Sequence, residues 1–477
     1  MAEKSITERP RPHIVLLPSP GMGHIIPFVD LAKRLILHHG FTATILTFSN
    51  FSSPTKSAFL YSFPSGLSSL SLPHIPLDDL PRDALMATRL AALVSRAVPH
   101  VRSALLDLKK STTSGIAAFV VDLFCPDTFG AAKELSIPHY IFFTCNFMTL
   151  SLFFYLPTLD ETTSCEFRDL PDPVHLPGCL PIPGKDLLDT LQDRSDKVYT
   201  WFVHIGRTFH QAEGILVNSF QEMEPDVIKA LREQQDHGYP PIYPVGPLAR
   251  SGSDETDDYG CLEWLDRQPR GSVLFVSFGS GGTPSTEQTR ELAFGLEQSG
   301  QRFLWTARCP SDKEAAGAYF ISKSSDDPLS YLPEGFVERT KDVGKVVDSW
   351  APQIKVLGHE ATGGFLSHCG WNSSLESTMH GVPMIAWPLF AEQRMNALML
   401  VDGVEIALKP KAREDGVIPR EEIAKVVVEL MEGEMGEKAR VRVKDLRDAG
   451  SKALSEEGSS YKALEEVANK WRVALAV

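Results

Sequence analysis

The amino-acid sequence predicts two doubly wound α/β domains in tandem, each a parallel sheet with helices on both faces. Three observations lead to this fold class. Short apolar runs alternate with helix-like segments, most of the runs are apolar at nearly every position, and the alternation stops at a polar stretch and then restarts. A strand that is apolar on both faces must be covered on both sides, which is typical of parallel sheets. The length of 477 residues also exceeds one ordinary hydrophobic core.

The first domain is predicted over residues 1–247. Its first helix begins at about residue 25, and its strand-like runs are "HIVLL", "TATILTF", "FVVDLF", "HYIFFT" and "GILVNSF". The uncharged stretch 140–156, "YIFFTCNFMTLSLFFYL", is slightly short for a membrane-spanning helix, contains Asn146 and lacks basic flanks. We therefore interpret it as a buried strand followed by a core helix.

A linker and a second domain follow. Residues 248–261 belong to a stretch rich in Pro, Gly, Ser and Asp, a composition typical of an exposed connection. The alternation restarts in a second domain at residues 262–455, with the runs "SVLFVSFGS", "RFLWTAR", "GGFLSHCG" and "MIAWPLF". A long polar interruption at 310–333 is either functional or disordered. The tail, 456–477, carries apolar residues at helical spacing, so we expect a helix that packs back on the first domain.

Composition excludes several classes of partner. The formal net charge of −14 and the isoelectric point near 5.5 argue against nucleic acid or an anionic membrane, since both require a basic face. The seven cysteines are scattered without a C-x-x-C pair, which indicates reduced thiols rather than disulfides or zinc ligands. The N-terminus lacks the apolar segment of a signal peptide. We expect a cytoplasmic monomer without integral membrane association.

The turn "PSPGMGH" joins the first strand to the first helix, at the edge where open parallel sheets bind ligands. Gly21 and Gly23 allow backbone conformations that other residues avoid. The turn does not match the dinucleotide fingerprint, because the third glycine position is Ile26. His24 then stands at the helix start and can face the crevice, although a lone histidine there is more often a structural residue that bonds to backbone or water.

Asp122 favours a functional role for His24 over a structural one. It lies near the carboxyl end of the apolar strand "FVVDLF", where a buried carboxylate requires a partner. His24 is the candidate, since an imidazole held by a carboxylate is a general base. The alternative for Asp122 is an N-cap of the next helix, although Asp127 is better placed for that.

The second domain carries a candidate anion site. A glycine-rich turn with Ser280 follows its first strand, and Asn372 and Ser373 begin a helix directly after His368. Backbone N–H groups, hydroxyls and the helix dipole together bind phosphate. An ordinary capped helix would account for the serine, but not for His368 and the nearby Glu376. No D-x-D motif occurs in the chain, so we expect no metal at this site.

Residues 350–393, from "WAPQIKVLGHE" to "WPLFAEQ", closely resemble the signature segment of plant UDP-sugar-dependent glycosyltransferases of small molecules. The resemblance extends over the whole chain. The "VVDLF" and "PSPGMGH" regions look most like those of phenol glucosyltransferases related to hydroquinone and monolignol enzymes. The resemblance implies a GT-B fold, in which two Rossmann-like domains face each other across a cleft. It places the sugar nucleotide mainly on the C-terminal domain and the acceptor on the N-terminal one.

The resemblance also implies three groups of donor-binding positions. Those for the uracil and ribose are Trp350, Gln353 and Glu376. Those for the diphosphate are His368, Asn372, Ser373 and Ser280, with Ser19 nearby. Those for the sugar hydroxyls are Trp371, Glu392 and Gln393. The terminal glutamine is similar to that of glucose-using members, whereas Glu392 replaces the commoner Asp.

These inferences together predict an inverting UDP-glucose-dependent glucosyltransferase that needs no cofactor or metal. It would add β-glucose to the hydroxyl of a small aromatic acceptor, such as a phenol, a phenylpropanoid or an indolic hydroxyl like that of indoxyl. His24 would accept the proton while UDP leaves in a single displacement. The candidates for an apolar acceptor pocket lie beside the crevice; they are Met22, Leu123, Phe124 and Phe142. A sugar-nucleotide epimerase or hydrolase, or a non-catalytic sugar-nucleotide binding protein, remains an alternative.

Overall fold

The computed structural model describes residues 10–51, 64–81, 84–249, 256–279, 281–312, 327–348 and 350–476. Within these ranges, two sheets whose strands all pair in parallel form the two predicted domains. Apolar clusters lie on both faces of each sheet, as the apolar strands require. The predicted fold class is therefore confirmed.

The first sheet has seven strands in the spatial order β3-β2-β1-β4-β5-β6-β7. In chain order they are β1 His13–Leu17, β2 Thr42–Phe48, β3 Leu67–Leu72, β4 Ile116–Asp122, β5 His139–Phe143, β6 Ile215–Val217 and β7 Ile242–Pro244. The helices of this half are α1 Met22–His39, α2 Met86–Ser111, α3 Phe129–Glu134, α4 Phe147–Thr162, α5 Lys197–Phe209 and α6 Pro225–Glu233.

The second sheet has six strands in the order β10-β9-β8-β11-β12-β13. They are β8 Val273–Ser277, β9 Arg302–Ala307, β10 Gly344–Asp348, β11 Thr362–Ser367, β12 Met384–Ala386 and β13 Ala407–Leu408. The helices of this half are α7 Cys261–Leu265, α8 Thr286–Ser299, α9 Phe336–Thr340, α10 Gln353–Leu357, α11 Trp371–His380, α12 Gln393–Leu398, α13 Arg420–Glu432, α14 Glu434–Ala453 and α15 Ser459–Ala476.

The four strands that the sequence did not predict are the outermost strands of the two sheets. They are β3, β7, β10 and β13. An edge strand has one neighbour and less cover, so it can be short or polar. β3 reads "LSSLSL" with only its two end residues buried, and β13 has two residues. Neither carries the apolar run by which a central strand is recognised.

The uncharged stretch at 140–156 is divided between β5 and α4, as predicted. Asn146 separates them, and its side-chain oxygen accepts a hydrogen bond from the backbone N–H of Thr149 at 2.8 Å, which caps α4. Across the described residues, no helix has both the length and the apolarity to cross a membrane.

The last helix, α15, packs against the first sheet rather than the second. Trp471 is fully buried, and its ring lies edge-on to those of Phe41 and Tyr140. Lys470 Nζ donates to the hydroxyl of Tyr243 on β7 at 2.6 Å. The first sheet ends at Pro244 and the second begins at Val273, and of the predicted linker, 250–255 lies outside the described residues.

The two domains touch through polar side chains. Asn146 Nδ2 donates to Asn396 Oδ1 at 2.7 Å, and both side chains are fully buried. Asp189 accepts from the backbone N–H of Ala391 at 2.9 Å and forms an ion pair with Arg394. The carboxyl ends of the central strands point toward this boundary, because the turns after β1 and β11 contact each other there.

Candidate active site

The strand order of the first sheet reverses between β1 and β4, and ligands bind at such switch points. Leu17 pairs with Val121, so the turn after β1 lies beside Asp122 at the end of β4. Gly21 has φ 124°, a conformation that favours glycine, and it starts α1. The first turn of α1 thereby carries His24 over the end of β4.

His24 and Asp122 form a hydrogen-bonded pair. His24 Nδ1 lies 2.8 Å from Asp122 Oδ2, and the Asp122 side chain is completely buried. The other carboxylate oxygen accepts from Ser19 Oγ at 2.6 Å and from the backbone N–H of Phe124 at 3.2 Å. Thr144 Oγ1 lies 3.3 Å from the same His24 nitrogen. Asp122 is therefore fixed in place and is not an N-cap of the next helix.

The second nitrogen of His24, Nε2, has no hydrogen-bond partner among the described residues, and 21% of the side chain is exposed. Burial lowers the pKa of His24, but the negative charges of Asp122 and Glu392 outweigh burial, so this pKa lies above its ordinary 6.5. The imidazole thus combines a raised pKa with a second nitrogen that no described residue occupies.

Ser19 lies beside Asp122, in the turn after β1. Its hydroxyl is fully buried and donates to Asp122, so it steadies the carboxylate. The sequence comparison with the family placed it near the diphosphate. In the structure, its described side-chain contacts are with Asp122 and with Cys125 Sγ at 3.6 Å.

Only some of the predicted acceptor-pocket residues lie beside His24. The Phe124 ring is 5.7 Å from the His24 ring and stacks on Trp201 at 5.8 Å. Met22 is partly exposed on the first turn of α1. Phe142, in contrast, is fully buried against the ring of Phe28. The prediction that Phe142 lines the acceptor pocket is therefore wrong, because a ring buried in the core offers no surface to an acceptor.

Leu123 is 5% exposed and belongs to the main apolar cluster, so little of its surface is open to an acceptor, and its place in the pocket stays a prediction. Trp201, which the sequence did not single out, is carried by α5 and stacks on Phe124. It stands 77 residues after Phe124, so no local pattern could have connected the two.

In the second domain, His368 occupies the corresponding switch point between β8 and β11. A Cβ atom at Gly279 would lie 2.5 Å from the His368 ring, and one at Gly370 would lie 2.4 Å from it. Gly279 also has φ +70°. Two glycines therefore leave the space that the imidazole fills. Burial, assisted by the positive charge of Arg308, lowers the pKa of His368 to about 4, so this histidine is neutral at pH 7.

Three of the positions predicted for uridine and the diphosphate form one cluster at the start of α11. Gln353 Nε2 donates to Glu376 Oε2 at 2.5 Å and to Ser373 Oγ at 3.1 Å. Glu376 and Ser373 are each 8% exposed. Trp350 is 49% exposed, a large exposure for an indole ring. Ser280 lies outside the described residues.

Two residues that were predicted to bind the sugar nucleotide make contacts across the boundary between the two domains. Asn372 Nδ2 donates to the backbone oxygen of Gly23 at 2.7 Å, and its buried Oδ1 has no described partner. Trp371 Nε1 donates to the backbone oxygen of Asn218 at 2.7 Å, so its only side-chain donor is occupied. The first turn of α11 is thereby held directly against the turn that carries His24.

Two further positions, predicted for the sugar hydroxyls, flank the start of α12. Gln393 Oε1 accepts from the backbone N–H groups of Leu389 and Phe390 at 2.9 and 3.0 Å. Glu392 Oε1 accepts from Asn396 Nδ2 at 3.2 Å, and burial raises its pKa. The described residues contain no group of three or more His, Cys, Asp or Glu side chains placed to hold a metal ion.

Comparison with known proteins identifies the family. Residues 207–415 match the family described as UDP-glucoronosyl and UDP-glucosyl transferase. A hydroquinone glucosyltransferase of Rauvolfia serpentina is 53% identical over 462 residues, which cover 96% of this chain and 98% of the relative. The chain belongs to the UDP-glycosyltransferase family. The resemblance stated from the signature segment is confirmed, and the protein is an enzyme of this class.

Solved structures support the same assignment for this UDP-glycosyltransferase. One is a Polygonum tinctorium UDP-glucosyltransferase capable of glucosylating indoxyl, in complex with 3,4-dichloroaniline. It has TM-score 0.90 and 48% identity, with 98% of this chain and 99% of that one covered. Another is Phytolacca americana UGT2 complexed with UDP-2fluoro-glucose and pterostilbene, with TM-score 0.89, 47% identity and coverage of 96% and 99%. The GT-B fold and a UDP-sugar donor follow from these likenesses.

Proposed function

We propose that this enzyme transfers glucose from UDP-glucose to the hydroxyl of a small aromatic acceptor, with inversion at the anomeric carbon. The observation that carries the proposal is the hydrogen bond of 2.8 Å between His24 and the buried Asp122, which leaves Nε2 open beside the start of α11. The relatives named above support glucose and an aromatic acceptor, because their names include hydroquinone, indoxyl and pterostilbene.

The proposed reaction is a single displacement. The Nδ1–H group of His24 donates a hydrogen bond to Asp122, so Nε2 keeps its lone pair and accepts the proton of the acceptor hydroxyl. The acceptor oxygen forms a bond to C1 of glucose, and the bond from C1 to the UDP oxygen breaks with its electron pair on UDP. Asp122 stabilises the imidazolium that results. One displacement converts an α-linked donor into a β-glucoside.

The donor is proposed to lie along α11. Trp350 would stack on uracil, while Gln353 and Glu376 would bind the ribose. The diphosphate would meet the N-terminus of α11, where backbone N–H groups and the helix dipole favour negative charge. The residues proposed there are His368, Asn372, Ser373 and Ser280. Those proposed for the sugar hydroxyls are Glu392, Gln393 and the backbone or ring of Trp371.

The acceptor is proposed to lie against Phe124, Trp201 and Met22. The Phe124 ring lies 5.7 Å from the His24 ring, and Trp201 stacks on Phe124 at 5.8 Å and extends this aromatic surface. An aromatic acceptor gains offset or edge-to-face contacts on such a surface, whereas a flexible aliphatic alcohol does not. This arrangement supports a phenol or indolic hydroxyl as the nucleophile.

The purified enzyme with UDP-glucose and a panel of phenols and hydroxyindoles tests the proposal. Mass spectrometry should detect a monoglucoside, and the proton coupling at C1 should identify the β-anomer. His24→Ala should lower kcat by about 10²–10⁴-fold. His38→Ala is the control, because His38 lies exposed on the last turn of the same helix. Full activity in His24→Ala, or an α-glucoside, would contradict the mechanism.

The acidity of the acceptor distinguishes a His24 that accepts a proton from a His24 that only positions the acceptor. A phenol that is already ionised at the assay pH needs no proton acceptor, so it should lose much less rate in His24→Ala than an ordinary phenol does. Equal losses for both kinds of phenol would contradict the role of His24 as the base.

We further propose that the enzyme is a cytoplasmic monomer that needs no metal. All seven cysteines are free, and four of them are buried, which supports a reducing compartment. Light scattering should give a mass near 52.7 kDa, and a chelator should leave kcat unchanged. A dimer, or activity that is lost with chelator and restored by a divalent cation, would contradict these proposals.

A further inference from the structure

Arg308 lies at the carboxyl edge of the second sheet, where the sugar nucleotide is proposed to bind. It was not among the predicted site residues. It is the first residue after β9, and β9 pairs in parallel with β8. The carboxyl ends of both strands therefore meet at the same edge. This is the edge at which the turn after β8 and the His368 turn lie together.

One hydrogen bond fixes the guanidinium against that turn. Arg308 Nη1 donates to the backbone oxygen of Gly279 at 3.0 Å. Gly279 is the glycine whose missing side chain leaves space for the His368 ring. The guanidinium is near enough to His368 for its charge to help lower the pKa of that imidazole. Arg308 thus lies beside His368 at the N-terminal end of α11.

The positive charge of Arg308 has no acidic partner within the part of the chain that the structure describes. No Asp or Glu of the described residues forms an ion pair with it, although comparable arginines of this domain, such as Arg420 and Arg339, each pair with a glutamate. Arg308 is half-buried, and burial lowers its pKa. A guanidinium has five N–H donors, and among the described residues one of them is used, in the bond to Gly279. A partly buried cation with free donors is costly unless an anion completes it.

We propose that Arg308 binds the diphosphate of the UDP-sugar and stabilises the negative charge that develops on UDP as it leaves. The inference rests on the donor placement proposed above. His368 is neutral, so it can donate a hydrogen bond to a phosphate oxygen but cannot offset its charge. Arg308 supplies the full positive charge that the helix dipole, hydroxyls and imidazole lack. Guanidinium groups match phosphate geometry and remain charged when partly buried.

Titration calorimetry with UDP and with uridine tests this role on the full-length enzyme. Arg308→Gln should weaken UDP binding by about 10- to 100-fold, because a charge-assisted hydrogen bond is lost. Uridine lacks the diphosphate, so its affinity should stay the same, which also shows that the variant is folded. Arg308→Lys should recover part of the UDP affinity. The control is Arg302→Gln, because Arg302 begins the same strand at the opposite edge of the sheet.

The outcomes separate this inference from the proposed function. If Arg308→Gln leaves UDP affinity unchanged, or weakens UDP and uridine equally, the diphosphate contact is refuted and the residue only supports the turn. If the unmodified enzyme binds UDP but forms no glucoside with any phenol, the proposed reaction fails while the Arg308 contact can still be measured. Turnover should fall in Arg308→Gln even at saturating UDP-glucose, since the charge on UDP grows as the bond breaks.

Discussion

His24 and His368 occupy matching places in the two halves of the molecule, yet their electrostatic environments are opposite. Each lies where the strand order of a parallel sheet reverses. Asp122 helps to raise the pKa of His24 above 6.5, whereas burial and Arg308 lower that of His368 to about 4. The fold supplies the position, and the neighbouring charges decide whether the pKa of the imidazole lies above or below its ordinary value.

The largest effect on the difference between the two histidines is expected from removing the negative charge of Asp122, the partner of His24. Asp122→Asn keeps the shape but lowers the pKa of His24 and can stabilise the wrong tautomer, so kcat should fall by about 10³–10⁴-fold. Steady-state kinetics with hydroquinone measure the loss. Asp127→Asn is the control, because Asp127 bonds the exposed His204 instead. Retention of more than a tenth of the activity in Asp122→Asn would contradict the pairing.

On the other side of the cleft, Gly279→Ala should displace His368. The new Cβ would lie 2.5 Å from the ring, so UDP affinity should fall at least about 10-fold, the loss of one or two phosphate hydrogen bonds. Gly300→Ala is the matched control, since Gly300 has φ +65° with no atom within 4 Å of the added carbon. Both variants should lose about 1–2 kcal/mol of stability from the left-handed backbone. Equal UDP binding in the two variants would contradict the packing described for His368.

The dependence of kcat/KM on pH tests the difference between the pKa values of His24 and His368. The basic form of His24 is lost as pH falls through its raised pKa, so kcat/KM should decline below a midpoint above pH 6.5. His368 stays neutral down to about pH 4 and should add no second step in that range. His368→Gln should therefore weaken UDP binding by about 10-fold and leave the midpoint unchanged. A midpoint that moves in this variant would mean that His368 titrates near neutrality.

The smallest expected effect concerns Glu392. Its charge contributes less than that of Asp122 to the raised pKa of His24, so Glu392→Gln should move the acid midpoint of kcat/KM slightly to lower pH. Glu360→Gln is the control, because Glu360 is exposed before β11, at the opposite edge of the sheet. A shift toward higher pH in Glu392→Gln would contradict the charge effect.

The sequence predicted the His24 and Asp122 pair because turns that follow neighbouring parallel strands meet at one edge. It placed Phe142 wrongly, since a strand residue next to the crevice can equally face the core, as this ring does against Phe28. The sequence did not single out Trp201 and Arg308, because their proposed roles depend on which distant residues the fold brings to them. Position along the chain carries no signal of such neighbours.

The C-terminal helix has a consequence for how the two domains can move. The chain passes between them once after β7 and again through residues 454–458, which join α14 to α15. This second passage is short and tightly packed, since a side chain at Gly458 would meet the backbone oxygen of Lys452 at 2.1 Å. Because the chain connects the two domains at two points, the domains can rotate most easily about the line through both connections. Any opening between the two halves should therefore be a rotation about that line rather than a separation of the halves.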